Sequence, residues 1–117
     1  MQKKYWKPGM LSKVMQNNNN QVHYFIKEES LLARIAAWKL NTSSVAIVLG
    51  HTIHLHNTRK EDFLKNNQWL KHELCHIKQF EDNGFFIFIY RYIRESLKNG
   101  YYNNKYEIEA RLAEQEL

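Results

Sequence analysis

His72-Glu73-Leu74-Cys75-His76 forms an H-E-x-x-H string in the second half of this chain. The residues on either side predict that it lies within a helix over about residues 68–82. Residues four apart lie one above the other on a helix, so the two histidines share one face. Glu73 lies about 100° around the helix from His72, beside that face. Two imidazoles can then bind one metal ion while the carboxylate reaches a water molecule next to it, which is the geometry of a zinc hydrolase.

The apolar residues of the same helix indicate that it is packed. In helical projection they fall on an arc of about 140° next to the histidine face, which places the histidines at the border of the core. These residues are Trp69, Leu70, Leu74, Ile77 and Phe80. A surface helix with two solvated histidines is the plainer alternative. The packed apolar arc disfavours this alternative. Chance is also a poor explanation of the motif, since a shuffled chain of this composition would contain an H-E-x-x-H string only about 0.025 times.

The composition describes one globular domain. The 117 residues are 44% hydrophobic, 14% aromatic and 25% charged, with a formal net charge of +5. A chain of this length can bury a core of its own. The positive charges are scattered, without a block of five, so we expect no nucleic-acid binding. These features do not fix the oligomeric state.

Cysteine usage and hydropathy predict a cytoplasmic protein. Cys75 is the single cysteine, so the sequence offers no intramolecular disulfide that would imply an oxidising compartment. No apolar segment of signal-peptide length follows the lysines near the N-terminus. The longest apolar run, residues 85–90, is far shorter than the roughly 20 residues of a membrane span. We therefore expect neither a signal peptide nor a transmembrane segment.

The first part of the chain predicts a lead-in followed by a helix. Residues 1–30 are expected to form the lead-in, with a mobile Asn-rich loop at residues 16–21, because Asn side chains compete for backbone hydrogen bonds. An amphipathic helix is predicted over residues 28–40 from apolar residues at helical spacing. The functional domain is then expected over residues 31–117.

A β segment is predicted at about residues 45–56, where a short β-prone run is followed by an alternating one, as in a strand pair or one bent strand. The alternation puts Ile53 and Leu55 on one face and His54 and His56 on the other. A second metal site on these histidines is one alternative. A polar, solvent-facing side of the sheet is the favoured one.

Three further helices are predicted around and after the β segment. Thr58 and Glu61 have the spacing of a capping box, which predicts the start of a helix leading into the motif helix. Gly84 is placed to end the motif helix. Residues 85–97 predict a helix that is buried, because its first turns are aromatic on all sides; a membrane-surface helix is the alternative. The last helix is predicted at about residues 104–116.

The third metal ligand is expected from the last helix. Catalytic zinc takes three protein ligands and leaves the fourth position to water, so two histidines require a partner from elsewhere. Glu107 is favoured because Ala110, one turn later, allows its helix to approach the motif helix closely. Glu109 is the reserve candidate, although it shares its side of the helix with Glu116, as on a solvated acidic face. The acidic residues that follow the motif are Glu81, Asp82, Glu95, Glu107, Glu109, Glu114 and Glu116.

Together these residues resemble the gluzincin metallopeptidases. The H-E-x-x-H string is followed, 31 residues after His76, by Glu107-x-x-Ala110, and in gluzincins a glutamate on a later helix completes the site. The compact layout over residues 31–117 is similar to the zincin-like domain attached to bacterial toxin and injection-system proteins. The E-x-E-A string is also similar to that of the CAAX-prenyl and heat-shock membrane proteases, whose transmembrane segments this sequence lacks. The resemblance implies an α+β, mainly helical zincin-like domain with the β segment beside the motif helix.

The resemblance and the residues imply a zinc-dependent metallopeptidase that acts on a peptide or protein substrate. Zinc on His72, His76 and Glu107 would lower the pKa of a bound water. Glu73 would accept the proton of that water, which would then attack the peptide carbonyl, and would return the proton to the leaving amine. No cofactor besides Zn²⁺ is expected.

Two features of the last helix bear on activity. Tyr101 and Tyr102, just before it, are candidates for oxyanion or substrate contacts, with plain packing as the alternative. Many gluzincins have an aspartate four residues after the glutamate ligand that orients a ligand histidine, whereas this chain has Arg111 there, so Glu114 is a candidate orienter. An inactive zinc-binding domain of the same fold that acts as an interaction module is the alternative function, and a helical scaffold without metal is the third.

Overall fold

A computed structural model describes residues 22–116 of the chain. The element order is β1 (Phe25–Lys27), α1 (Leu31–Leu40), β2 (Val45–Leu49), β3 (Thr52–His56), α2 (Lys60–Lys65), α3 (Asn67–Asn83), α4 (Phe85–Asn99) and α5 (Lys105–Ala113). The predicted class, α+β and mainly helical with a short β segment, is confirmed. The Asn-rich patch at residues 16–21 lies outside the described residues.

The β segment is a hairpin joined by one additional short strand. The strand order is β1-β3-β2, with β1 parallel and β2 antiparallel to β3. Gly50 makes the β2–β3 turn with a φ of 67°, a left-handed conformation that glycine adopts without a steric cost. Of the two predicted alternatives, a strand pair and one bent strand, the structure has the strand pair, whereas β1 was not predicted. It contributes residues 25–27 of the expected lead-in to the sheet.

Strand β3 alternates as the sequence indicated. Ile53 and Leu55 are fully buried, and His54 and His56 lie half-buried on the opposite face. Nδ1 of His54 is 2.9 Å from the hydroxyl of Ser30. Among the described residues these strand histidines belong to no group of three metal-binding side chains. Their face is not solvent-facing as predicted, because Val45 and Ile47, which pair with His56 and His54, pack against α1 on that side of the sheet.

Helix α1 packs on the sheet through its small residues. Ser30 caps it by accepting a hydrogen bond from the Ala33 amide, which places the helix start later than the predicted residue 28. Ala33 and Ala37 are buried against Val45 of β2. These small side chains let the helix lie close to the sheet. The larger apolar residues Leu31, Ile35 and Trp38 lie on other sides of α1 and are exposed.

Two predictions about the later helices are wrong. The capping box at Thr58 does not form, since the N-cap of α2 is Arg59, whose side chain makes no capping hydrogen bond. The Glu28 carboxylate accepts from the Lys60 amide at the start of this helix instead. Helix α4 exists, but Phe88 is its single buried residue. The aromatic first turns predict burial on all sides, whereas α4 contacts the core along one face, where Phe88 packs against Phe80 and Tyr106.

Helix α3 is the centre of the core. Its apolar face packs between the buried face of the sheet and α5, with α2 covering one end. Ala110 of α5 is completely buried in this cluster, so the close approach of the last helix that it predicted is confirmed. None of the helices within residues 22–116 has the length and hydrophobicity to cross a membrane.

The packing of α5 on α3 gives a first testable expectation. Ala110→Leu adds three carbons where the two helices touch, and overpacking of this kind costs about 1–3 kcal/mol of the free energy of unfolding. Leu112→Ala removes a comparable group from the exposed side of α5 and should change the stability by less than about 0.5 kcal/mol. Urea denaturation of the two variants measures the difference. Equal stabilities would contradict the close packing.

Candidate metal centre

The two motif histidines lie on the inner face of α3. The helix begins at Asn67, where the Asn66 side chain caps it by accepting from the Trp69 amide, and it extends one residue further at each end than predicted. The ring centroids of His72 and His76 are 5.0 Å apart. Both side chains are largely buried, so the histidine face of α3 lies inside the protein.

Glu107 reaches the histidines from α5. Its two carboxylate oxygens lie 3.2 Å from Nε2 of His72 and 3.3 Å from Nε2 of His76. One possible ligand atom from each of the three residues lies within 4.8 Å of the others. Glu109, the reserve candidate, is exposed and lies outside this group. The structure thus brings together the three residues that the sequence favoured as ligands, named here the triad.

The start of α5 is tied to α4, which fixes the position of Glu107. Asn104 is fully buried and caps α5 by accepting from the Tyr106 amide. Its amide nitrogen donates to the Tyr92 carbonyl and to the Ser96 hydroxyl, at 3.1 and 2.8 Å. A side chain that is fully buried and has these partners sets the register of the helix that it caps.

Gln79 defines which nitrogen of His76 points to the triad centre. The Gln79 amide nitrogen lies 3.1 Å from the Tyr106 carbonyl and 2.7 Å from a Glu109 oxygen, and both groups can only accept. The Gln79 amide oxygen therefore faces Nδ1 of His76, at 2.8 Å, and Nδ1 must carry a proton. Nε2 is then the nitrogen with a lone pair for a metal.

Glu114 plays the corresponding role for His72. Its carboxylate lies 2.7 Å from Nδ1 of His72, which directs Nε2 toward Glu107. The sequence suggested this residue as an orienter in place of the missing aspartate. Arg111, which stands at that position, turns away; it donates to the Tyr102 carbonyl and its guanidinium lies 4.0 Å from the centroid of the Tyr102 ring.

Of the two tyrosines predicted as substrate contacts, Tyr101 lies at the site. It lines the same cavities as His72 and Glu73, and burial together with the negative charge of Glu107 raises its pKa to about 12. Tyr102 is exposed and packs against Arg111 instead.

Tyr92 is a site residue that the sequence did not reveal. Its hydroxyl donates to Glu107, and burial with the nearby carboxylate raises the pKa of the phenol far above its usual range. Tyr92 follows Phe88 by four residues on the core-facing side of α4. A tyrosine on an otherwise apolar stripe was the available sign, because a buried hydroxyl needs a partner.

The pKa values of the two buried carboxylates, Glu107 and Glu73, are shifted in opposite directions. Burial alone would raise the pKa of Glu107, but hydrogen bonds with His72 and His76 hold it well below its usual range. Glu73 is as deeply buried and lies outside the triad, and burial, partly offset by the two histidines, raises its pKa to about 7. Burial would lower the pKa of His76, yet its hydrogen bond with Glu107 outweighs this and raises it to about 9. Glu107 is therefore a permanent anion, while Glu73 can take up or release a proton near neutral pH.

Two cavities meet at the triad. The first, of about 390 Å³, is bounded by α1, β2 and α4 and has a mostly apolar lining. All five residues of β2, Val45–Leu49, line it; since successive side chains of a strand point to opposite faces, this cavity runs along the edge of β2 rather than over one face. The second, of about 430 Å³, has a polar lining that includes Ser44, Gln68 and Glu114.

Cys75 is buried beside the site without joining the triad. Its sulfur lies 3.6 Å from the Gln79 amide nitrogen and belongs to the apolar core cluster. In this place the thiol acts as a small buried apolar side chain.

Comparisons with protein-family models, with curated proteins and with solved structures found no match to this chain. Two imidazoles whose Nε2 atoms face one ionised carboxylate are a donor set that fits a divalent metal ion, which would replace the Nε2 protons. The triad residues could hold such an ion through Nε2 of His72, Nε2 of His76 and Glu107.

The partners of Nδ1 give a second expectation. Residues that orient a ligand histidine typically tune metal affinity by about 10–100-fold, so Glu114→Gln and Gln79→Ala should each weaken metal binding by that order. Glu116→Gln removes an equal charge two residues from Glu114 and is the matched control. Competition with a chromophoric zinc chelator measures the affinities. A control variant that loses as much affinity as Glu114→Gln would reduce the effect to general electrostatics.

Proposed function

We propose that this protein is a zinc-dependent metallopeptidase. The observation that supports this most directly is the position of Glu73. It is a buried carboxylate with a pKa near neutrality, next to two histidines and a glutamate that converge on one point. The same group lines a cavity that runs along the edge of β2.

The triad residues would hold the ion, and Glu73 favours zinc among the candidates. Two histidines and one carboxylate are also the ligands of non-haem iron oxygenases. A carboxylate that stands beside the ligands and titrates near neutral pH suits hydrolysis, because hydrolysis needs a group that takes and returns a proton. When bound, zinc supplies a Lewis acid for the carbonyl oxygen and makes a coordinated water more acidic.

Three residues of the chain would have further roles in the reaction. The Glu73 carboxylate accepts a proton from the attacking water and delivers it to the leaving amine nitrogen. The Tyr101 hydroxyl, which lines both cavities, donates to the carbonyl oxygen as charge develops on it. Tyr92 holds one Glu107 oxygen in place and keeps that carboxylate from rotating.

The edge of β2 supplies a binding mode for an extended peptide. In the described sheet β2 is an edge strand, paired with β3 on one side. A peptide that pairs with the other side gains main-chain hydrogen bonds and places alternate side chains in the cavity. The apolar lining from β2 and α4, which includes Leu49, Ile89 and Ile93, would accept large apolar side chains.

The role of Glu73 is tested by Glu73→Gln. The variant should retain one zinc per chain and lose hydrolysis by about 10²–10⁴-fold, the usual contribution of general acid–base catalysis. Glu81→Gln makes the same chemical change on the same helix at an exposed position and should keep full activity. Zinc content and cleavage of a quenched fluorescent peptide library measure both. Equal turnover in Glu73→Gln would rule out the proposed mechanism, and zinc binding without any cleavage by the parent would favour the interaction module.

The ligand set is tested by metal analysis of protein purified without a histidine tag. The parent should contain about one zinc per chain, and His72→Ala, His76→Ala and Glu107→Gln should each lose it. His54→Ala and His56→Ala, on the sheet, should retain it. Glu109→Gln should retain stoichiometric zinc as well, with an affinity lowered only through Gln79. Iron in place of zinc, or zinc retained in Glu107→Gln, would contradict the assignment.

A further inference from the structure

Helix α4 carries a stripe of large apolar side chains on its outer surface. Phe86, Tyr90, Ile93 and Leu97 are 80%, 64%, 53% and 83% exposed. Their spacing of four, three and four residues aligns them along nearly the whole helix. Soluble monomers rarely leave so continuous an apolar surface in water, and such a surface marks an interaction site. These four residues are named here the α4 stripe.

One flank of the α4 stripe is cationic. At 100° per residue, Arg94, Lys98 and Arg91 lie about 70–130° around the helix from the centre of the stripe. All three are exposed. The acidic residue of α4, Glu95, lies on the core side instead, where its carboxylate accepts from the Lys105 amide at 3.3 Å. The exposed flank of α4 thus combines a continuous apolar surface with three positive charges and no carboxylate of its own helix.

We propose that α4 docks this protein on the surface of an anionic membrane. The α4 stripe would enter the boundary between headgroups and acyl chains, with Arg94 and Lys98 reaching the phosphate and carboxylate headgroups. The helix has 15 residues, too few to span a bilayer but enough to lie in its surface. The net charge of +5 adds attraction to anionic lipids.

Charge favours a membrane over a second copy of the chain. In an antiparallel pair of copies joined through the α4 stripe, the two identical cationic flanks would lie side by side, and like charges at close range oppose association. In a parallel pair the flanks would lie on opposite sides, where the α4 of the other copy offers neither of them an opposite charge. An anionic lipid surface neutralises the same flank. Charge complementarity therefore selects the lipid surface as the occupant.

Docking through α4 would place the apolar cavity at the membrane. Ile93 belongs to the α4 stripe and also lines that cavity, and Ile89 lies beside it on the same wall. Segments that emerge from or lie on a membrane surface would then meet the cavity first. The docking itself does not depend on metal binding or hydrolysis, so it can be tested separately from both.

The test is co-sedimentation of the full chain with lipid vesicles. The parent should bind vesicles of phosphatidylcholine and phosphatidylserine in equal parts, and should bind pure phosphatidylcholine vesicles much more weakly. Arg94→Gln combined with Lys98→Gln should weaken binding by about 30-fold, since each basic residue near the surface contributes about 1 kcal/mol. Phe86→Ser combined with Leu97→Ser should weaken it by at least about tenfold. Added salt should weaken binding by the parent as well.

Matched controls separate docking from general effects. Lys60→Gln combined with Lys65→Gln removes two charges from exposed positions of α2, and Leu112→Ser removes an exposed apolar residue from α5; both should bind like the parent. The α4 variants remove exposed side chains, and retained zinc binding or an unchanged urea midpoint would show that they are folded. Absence of vesicle binding by the parent would overturn the proposal. So would α4 variants that bind as well as the controls, or a parent dimer that Phe86→Ser with Leu97→Ser dissociates while vesicles are not bound.

Discussion

The contact of one glutamate with two histidines organises this structure. Glu107 is 4% exposed, and a carboxylate so deeply buried is tolerated only when cationic or hydrogen-bonding partners surround it. His72 and His76 from α3 and Tyr92 from α4 supply those partners. The Asn104 cap and the small Ala110 side chain allow α5 to lie close enough to α3 for Glu107 to reach both histidines. The packing of α3, α4 and α5 and the hydrogen bonds of the site therefore depend on each other.

The orientation of the histidines shows how far the polar network extends. Each Nδ1 has an acceptor, Glu114 or Gln79, and each Nε2 faces Glu107. Gln79 is itself aligned by two groups of α5 that only accept hydrogen bonds. A protein that needed buried histidines merely for packing would have no use for such consistent alignment. The proposed metal function explains it, because both rings then present a lone pair to the same point.

The parts of the site that could be predicted from sequence are those set by local periodicity. The shared face of the histidines follows from their spacing of four, and the choice of Glu107 followed from Ala110. Gln79 and Tyr92 escaped prediction because their roles depend on which groups of α5 stand opposite them, which spacing along one helix does not contain. The burial predicted for α4 was wrong for a related reason. Hydrophobicity shows that a helix has an apolar face, but not whether the covering surface belongs to the same chain.

The placement of β2 has a consequence for the behaviour of the protein in concentrated solution. Val-Ala-Ile-Val-Leu is an uncharged, largely β-branched segment at a sheet edge, the composition of segments that seed amyloid-like assembly. Here α1 and α4 form walls on either side of that edge. A single extended chain can pass between such walls, whereas the broad edge of another sheet cannot. Shortening of α4 would remove one of these walls and leave the edge of β2 more exposed to pairing with other chains.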